Sequence, residues 1–99
     1  MGRMVTDSFV MGNAELSSVP EVFGTVLRRF RTNSGITQEE LAFRAGVDRT
    51  FVYRIERGVR QPTITTLIGL GRALGVPACD LVRETEAEYA KFLRRRPKS

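Results

Sequence analysis

The sequence has no histidine, no tryptophan and a single cysteine. Because histidine is the usual general base and the commonest metal ligand, its absence argues against an acid–base enzyme and against a metal centre. One cysteine cannot form an internal disulfide, so the fold does not require an oxidising compartment. No apolar run approaches the roughly 18 residues that span a bilayer, and the first residues lack the order of a secretory signal. We therefore expect a non-catalytic cytoplasmic protein without a metal, a cofactor or a membrane partner.

The residues that are present suit one domain with an excess of arginine. The chain has 99 residues, 41% of them hydrophobic, which is enough for one core. Its net charge is +5, and 14 of its 16 basic residues are arginine. The planar donor fork of arginine suits phosphate and guanine edges, so this bias is compatible with nucleic-acid binding. A GC-rich genome also produces an excess of arginine, so the placement of the charges along the chain has to decide between the two explanations.

Three segments follow from the patterning of the chain. Residues 1–17 show no sustained period and are either a disordered extension or an arm that packs on a neighbouring chain. Residues 18–82 carry repeated helix signals and form the predicted domain. Residues 83–99 are a charged tail, predicted to continue the last helix or to form a sixth one. No segment alternates as a strand does, so the fold class is all-α.

Capping residues place the helices of this domain. A capping box at Ser18–Glu21 predicts a first helix that stops near Ser34, and a second box at Thr37–Glu40 predicts a helix to about Arg44. Asp48 is the predicted N-cap of a third helix, which Gly58 ends. A fourth helix opens at Pro62–Thr63 and ends at Gly75, and a fifth starts near Asp80. The predicted buried stripe of the fourth helix comprises Ile64, Leu67, Leu70 and Leu74.

The second and third helices have the spacing of a helix-turn-helix. Ala42 is small enough for two helices to cross closely, and Gly46, four residues later, can supply the positive φ of a tight turn. Val52 and Ile55 follow six and nine residues after the glycine. Each position alone is weak evidence, whereas the four together indicate two crossed helices.

This region resembles a known family. The segment ITQEELAFRAGVDRTFVYRIERGVRQPTITTLIGLGRALGV is similar to the lambda-repressor-like, or XRE-type, helix-turn-helix domain. Residues 48–58 are especially similar to controller proteins of restriction–modification systems, and the resemblance covers about residues 20–82. It implies a compact five-helix DNA-binding domain, usually a homodimer on a pseudo-palindromic operator, with no small-molecule effector evident.

The helical wheel predicts which face of the third helix meets DNA. With Val52 and Ile55 turned inward, the opposite face has three arginines and no acid. Arg49 is the candidate for a bidentate contact to guanine, and Thr50 and Arg54 are candidates for a base or a phosphate. The predicted DNA-contacting residues are Arg49, Thr50, Tyr53, Arg54 and Arg57, followed by Arg60 and Gln61, whose segment is either a backbone contact or a solvated loop.

The resemblance adds three residues to this site. It implies that Gln38 and the start of its helix lie against a phosphate. It also implies that Arg31 of the first helix pairs with Glu56, which would fix the third helix on the scaffold.

A second chain is expected to bind the carboxy-terminal third, since one half-site gives modest affinity. The candidate interface residues are Ile68, Val76, Leu81, Tyr89 and Phe92. The alternative for the last three is that they fold back onto the core of their own chain.

We interpret the sequence as that of a homodimeric, sequence-specific transcriptional regulator with residues 48–57 in the major groove of an operator. The alternative from another class is an interaction protein, such as an antitoxin that covers a toxin and binds DNA secondarily. An enzyme is not expected, because the sequence has neither a glycine-rich phosphate loop nor a cluster of metal ligands.

Overall fold

Five helices make up the computed structural model, which describes residues 16–95. They are α1 (Val19–Asn33), α2 (Gln38–Ala45), α3 (Arg49–Glu56), α4 (Ile64–Leu74) and α5 (Ala78–Arg95). No strand occurs in this part of the chain, so the all-α prediction is confirmed. The predicted arm or extension lies outside the described residues, apart from positions 16 and 17.

The core is formed where α2 and α3 pack between α1 and α4, with α5 closing one side. Seven of its side chains are fully buried, and every helix supplies at least one of them. They are Val26, Leu27, Leu41, Val52, Ile55, Leu70 and Leu81. Burial of such side chains stabilises the fold by roughly 1.5–3 kcal/mol each.

Two of the predicted capping interactions form and two do not. The side chain of Thr37 accepts a hydrogen bond from the backbone N–H of Glu40 at 3.0 Å, which is one half of the second capping box. The other half does not form, because the carboxylate of Glu40 pairs with Arg44. Thr63 caps α4 in the same way. Ser18 makes no side-chain cap, because its backbone is already helical at φ −86° and ψ −11°. Asp48 has the extended backbone of an N-cap, but only its carbonyl oxygen accepts hydrogen bonds from α3.

The buried stripe of α4 is shorter than predicted. Leu70 is fully buried and Leu67 is half-buried, whereas Ile64 is 71% exposed. Ile64 is the first residue of α4, and the first turn of this helix lies outside the core. The prediction that Ile64 is buried is therefore wrong.

Glycines allow three backbone approaches within the chain. A Cβ atom on Gly24 of α1 would lie 2.5 Å from the carbonyl oxygen of Ile55 in α3. One on Gly71 would lie 2.8 Å from the carbonyl oxygen of Val76, and one on Gly69 would lie 3.2 Å from that of Ala45. The glycine at position 24 therefore lets α3 rest directly on the backbone of α1.

The last helix is continuous across the predicted boundary at residues 82 and 83. It runs from Ala78 to Arg95 and packs along α1, burying Leu81 and Thr85. Among the described residues, no single helix is long and apolar enough to cross a membrane. Only α4 and α5 taken together reach the required length and composition, and these two helices meet at a bend of 100°.

We expect the Gly24→Ala substitution to destabilise the protein, because the added methyl group would overlap backbone atoms that cannot rotate away. Overpacking of this kind costs about 1–3 kcal/mol. Urea unfolding, followed by circular dichroism, measures the loss. The exposed Thr25→Ala in the same turn is the control, and an equal effect of both substitutions would contradict the proposed helix contact.

Candidate nucleic-acid interface

The turn between α2 and α3 has the tight geometry that the sequence predicted. Gly46 ends α2 in the left-handed conformation at φ 73°. The N–H of Val47 then donates to the carbonyl oxygen of Ala42 at 2.9 Å, which closes the turn. Ala42 itself is 3% exposed, so a small side chain lies at the crossing of the two helices. Together these features set α3 at a fixed angle to α2.

Helix α3 separates a buried face from a basic exposed face. Val52 and Ile55 are fully buried in the core. The predicted contact residues of this helix and its C-cap are all exposed, and they are Arg49, Thr50, Tyr53, Arg54 and Arg57. Arg49, Thr50 and Tyr53 line a shallow groove of about 190 Å³ along the helix. The structure thus brings the predicted residues together on one surface.

Two of these side chains hold one another in place. Arg57 Nη1 donates to the hydroxyl oxygen of Tyr53 at 2.9 Å. The guanidinium carbon of Arg57 also lies 5.6 Å from the centroid of the Tyr53 ring, within the range of a cation–π contact. The guanidinium groups of Arg49 and Arg54 make no hydrogen bond or ion pair with any residue in the described range. Their donors are therefore available to a ligand.

The segment after α3 is exposed, which agrees with both alternatives for it, a contact to the DNA backbone and a solvated loop. Arg60 and Gln61 project from the loop between α3 and α4. The N–H of Arg60 donates to the carbonyl oxygen of Arg54 at 3.3 Å, and the N–H of Val59 donates to the same oxygen at 2.9 Å. These bonds attach the start of the loop to the end of α3.

A buried ion pair joins α1 to α3. Arg31 Nε donates to Glu56 Oε2 at 2.7 Å, and Arg31 Nη2 donates to Glu56 Oε1 at 3.1 Å. The two side chains are only 12% and 4% exposed. Arg31 Nη1 donates in addition to the carbonyl oxygen of Ile36 at 2.9 Å. The pair predicted from the resemblance is therefore present, in bidentate geometry.

Gln38 belongs to the same network, which the sequence reasoning missed. Its Nε2 donates to Glu56 Oε1 at 3.0 Å, so the carboxylate receives donors from both α1 and α2. This bond engages the carboxamide of Gln38 inside the protein. The donors of Gln38 that remain for a phosphate are the second N–H of Nε2 and the backbone N–H at the start of α2. The signal that could have revealed this bond is the position of Gln38. It is a polar residue directly after the Thr37 cap, and its side chain faces the end of α3.

An open cavity of about 480 Å³ adjoins this network. Its walls come from α1, the cap of α2 and the start of α3, and its lining residues are Arg28, Arg31, Thr37, Gln38, Glu39 and Arg49. Arg28 was not among the predicted contact residues, because the wheel of α1 marks it only as a solvated base.

The predicted interface residues differ in how much surface they offer. Ile68 is 48% exposed, and Val76 is half-buried against the core. Leu81 has no exposed surface, because it fills the core between the helices of its own chain. It therefore cannot belong to an interface with a second chain, and that part of the prediction is wrong.

The aromatic residues of the tail are partly covered by their own chain, and their place in an interface with a second chain stays a prediction. Tyr89 and Phe92 are half-buried, and their rings stack with centroids 6.3 Å apart. Phe92 borders a cavity with Val22 and Thr25 of α1, so this part of α5 folds back onto its own chain.

Comparison with known proteins assigns the family. The family model HTH_3, described as helix-turn-helix, matches residues 27–81, which is more than half of the chain. The chain belongs to the HTH_3 helix-turn-helix family. The match begins within α1 and ends at the start of α5, so it contains both partners of the buried ion pair and the whole basic face.

Members of this family that resemble the chain are transcriptional regulators. The chain is 39% identical over 66 residues to the uncharacterized HTH-type transcriptional regulator y4dJ of Sinorhizobium fredii, covering 67% of this chain and 86% of that protein. This helix-turn-helix protein is accordingly a transcriptional regulator of the XRE type.

Solved structures of controller proteins share the fold. The restriction–modification controller protein C.AhdI of Aeromonas hydrophila aligns with a TM-score of 0.62 at 39% identity, over 63% of this chain and 94% of that one. The controller protein C.Esp1396I, solved as a tetramer in complex with its natural 35 base-pair operator, aligns with a TM-score of 0.66 at 29% identity. That alignment covers 73% of this chain and 95% of the other.

We expect Glu56→Ala to lower the free energy of unfolding by about 3 kcal/mol, because it leaves Arg31 charged and unpaired in a buried position. Urea unfolding measures the change. Glu40→Ala is the matched control, since it removes an exposed ion pair to Arg44 that is worth only about 0.3–0.5 kcal/mol. If both substitutions cost the same, the buried pair does not hold α3 in place.

Proposed function

We propose that this regulator binds a specific, pseudo-palindromic operator as a homodimer and places α3 in the major groove of each half-site. The observation that carries the proposal is the exposed face of α3, which presents three arginines and no acid. The acid of this helix, Glu56, is engaged on the opposite side by Arg31 and Gln38. A helix of about 10–12 Å diameter fits the major groove, so this face can reach base edges.

The residues of this face have different roles in the proposal. Arg49, at the first position of α3, reads a guanine through O6 and N7, because its guanidinium is unpaired and lies at the helix end that enters the groove. Thr50 offers a methyl group to thymine, and Arg54 reads a further base one turn along. Together these three side chains determine the sequence preference.

The remaining residues position the protein on the phosphate backbone. Arg57 is held by Tyr53 and therefore presents its remaining donors in a fixed direction. Arg60 and Gln61 extend this line of polar groups beyond α3. The backbone N–H of Gln38 faces a phosphate on the other side of the reading face, at the positive end of the α2 dipole. Contacts of this kind fix the register of the protein without reading sequence.

A second copy of the chain binds the surface around Ile68 of α4. Ile68 and Val82 of α5 are 48% and 42% exposed, which places apolar surface on two neighbouring helices. The structure of C.Esp1396I, a tetramer on its operator, shows that a controller protein of this fold assembles on DNA. Two-fold assembly gives a two-fold operator, because each copy reads one half-site.

We expect Arg49→Ala to relax discrimination at one base pair of each half-site by roughly 1–3 kcal/mol, since a bidentate contact to guanine is lost. The measurement starts from an operator selected out of random DNA. Each base pair of a half-site is then varied, and affinities are determined by fluorescence anisotropy. Arg60→Ala is the comparison, because the loss of a backbone contact weakens all sequences alike. A uniform loss with Arg49→Ala would exclude direct readout by this residue.

We expect Ile68→Asp to weaken dimerisation, because a carboxylate would have to be desolvated in the interface. Sedimentation equilibrium of the full chain measures the dimer dissociation constant. Val59→Asp introduces the same charge at an exposed loop position and should leave the constant unchanged. An Ile68→Asp protein that is dimeric at the same concentration as the unmodified chain would remove α4 from the interface.

A further inference from the structure

We propose that Arg28 of α1, outside the two helices that form the helix-turn-helix, contacts a backbone phosphate of the bound DNA. The inference rests on the proposed function, because it concerns the same DNA-bound state. It adds a contact that does not depend on sequence to a face where Arg49 and its neighbours read the bases.

The geometry behind this proposal is the open cavity of about 480 Å³ between α1, α2 and α3. Arg28 lines it from α1, and Arg49 lines it from the first position of α3. Arg49 also lines the shallow groove along the exposed face of α3. The cavity therefore adjoins the surface that enters the major groove, where the nearest groups of a bound duplex are its phosphates.

The charges in the cavity are not all equivalent. All three of its guanidinium groups are cationic, but Arg31 is paired with Glu56, and its Nη1 donates a third hydrogen bond to the carbonyl oxygen of Ile36. The guanidinium groups of Arg28 and Arg49 form no hydrogen bond or ion pair with any residue from 16 to 95. Glu39 is the acid in the lining, and neither arginine pairs with it. Two free cations thus face one carboxylate, which leaves the cavity positive.

The polar groups beside Arg28 suit an anion with several oxygens. The hydroxyl of Thr37 already accepts the N–H of Glu40, so it caps α2 and leaves the earlier amides of this helix, those of Gln38 and Glu39, unbonded within the described residues. These amides supplement the arginine and do not replace it. A phosphate held between them would have two non-bridging oxygens, one for the guanidinium and one for the amides. Such a contact fixes the position of α1 on the duplex and carries no sequence information.

The first experiment compares the full-length Arg28→Gln protein with the unmodified chain on its selected operator and on random DNA. We expect the affinity to fall by the same factor for both DNAs. The slope of the logarithm of the binding constant against the logarithm of salt concentration should become shallower by about 0.9, the value for one phosphate. Arg28 is exposed and unpaired, so the variant should keep its urea midpoint. Arg28→Lys, which retains the charge, should restore most of the slope.

The matched control is Arg72→Gln on α4. Arg72 is exposed, lines neither the cavity nor the groove, and its loss changes the net charge by the same amount. An equal loss of slope with Arg72→Gln would show a long-range charge effect and would overturn the proposed contact. An unchanged slope with Arg28→Gln, or a change in base preference, would overturn it as well.

A second experiment locates the contact on the DNA. Phosphates of the operator are replaced one at a time by neutral methylphosphonates, and binding of both proteins is measured. One replacement in each half-site should weaken the unmodified protein and leave Arg28→Gln unaffected. If no replacement distinguishes the two proteins while Arg49→Ala still relaxes one base pair, this inference fails and the proposed function stands. If the unmodified chain selects no operator, the proposed function itself fails.

Discussion

The position of α3 depends on the buried ion pair between Arg31 and Glu56. A carboxylate that is 4% exposed is stable only when its oxygens receive donors, and here it receives three from two other helices. The pair therefore fixes where the end of α3 lies with respect to α1 and α2. It also keeps the one acid of α3 away from the exposed side, which therefore presents arginines and no carboxylate. One ion pair thus fixes the angle of α3 and keeps negative charge off its exposed face.

Ion pairs also form where α5 packs on α1. Arg29 of α1 lies 3.6 Å from Glu88 and 3.8 Å from Glu84, and Lys91 lies 3.8 Å from Glu88. These pairs are partly exposed and 3.6–3.8 Å long, so each contributes little to stability. Arg29 of α1 is thus matched with two acids of α5, whereas Lys91 pairs within α5 itself. None of these acids pairs with an arginine of the exposed face of α3.

Much of the fold was predictable because local chemistry determines it. Thr37 and Gly46 define α2 through a side-chain cap and a left-handed turn, both of which depend only on neighbouring residues. Spacing alone also placed the basic face of α3 correctly. The errors concern long-range packing. A helical wheel cannot show that the first turn of α4 leaves Ile64 in solvent or that Leu81 reaches the core. It also cannot show that the side chain of Gln38 turns inward to Glu56. Periodicity identifies a face, but only the neighbouring elements decide how much of it is covered.

The contact between α1 and α3 at Gly24 determines which side chains of α3 can be exchanged during evolution. The groups that meet there are main-chain atoms, with Gly24 facing the carbonyl oxygens of Ile55 and Glu56. Main-chain atoms are the same whatever side chains α3 carries on its outer surface. Residues on that surface can therefore be exchanged without disturbing the joint that supports them. Under the proposed function, the scaffold and the DNA preference are therefore separable, and exchanging a few side chains on an unaltered frame gives access to new operators.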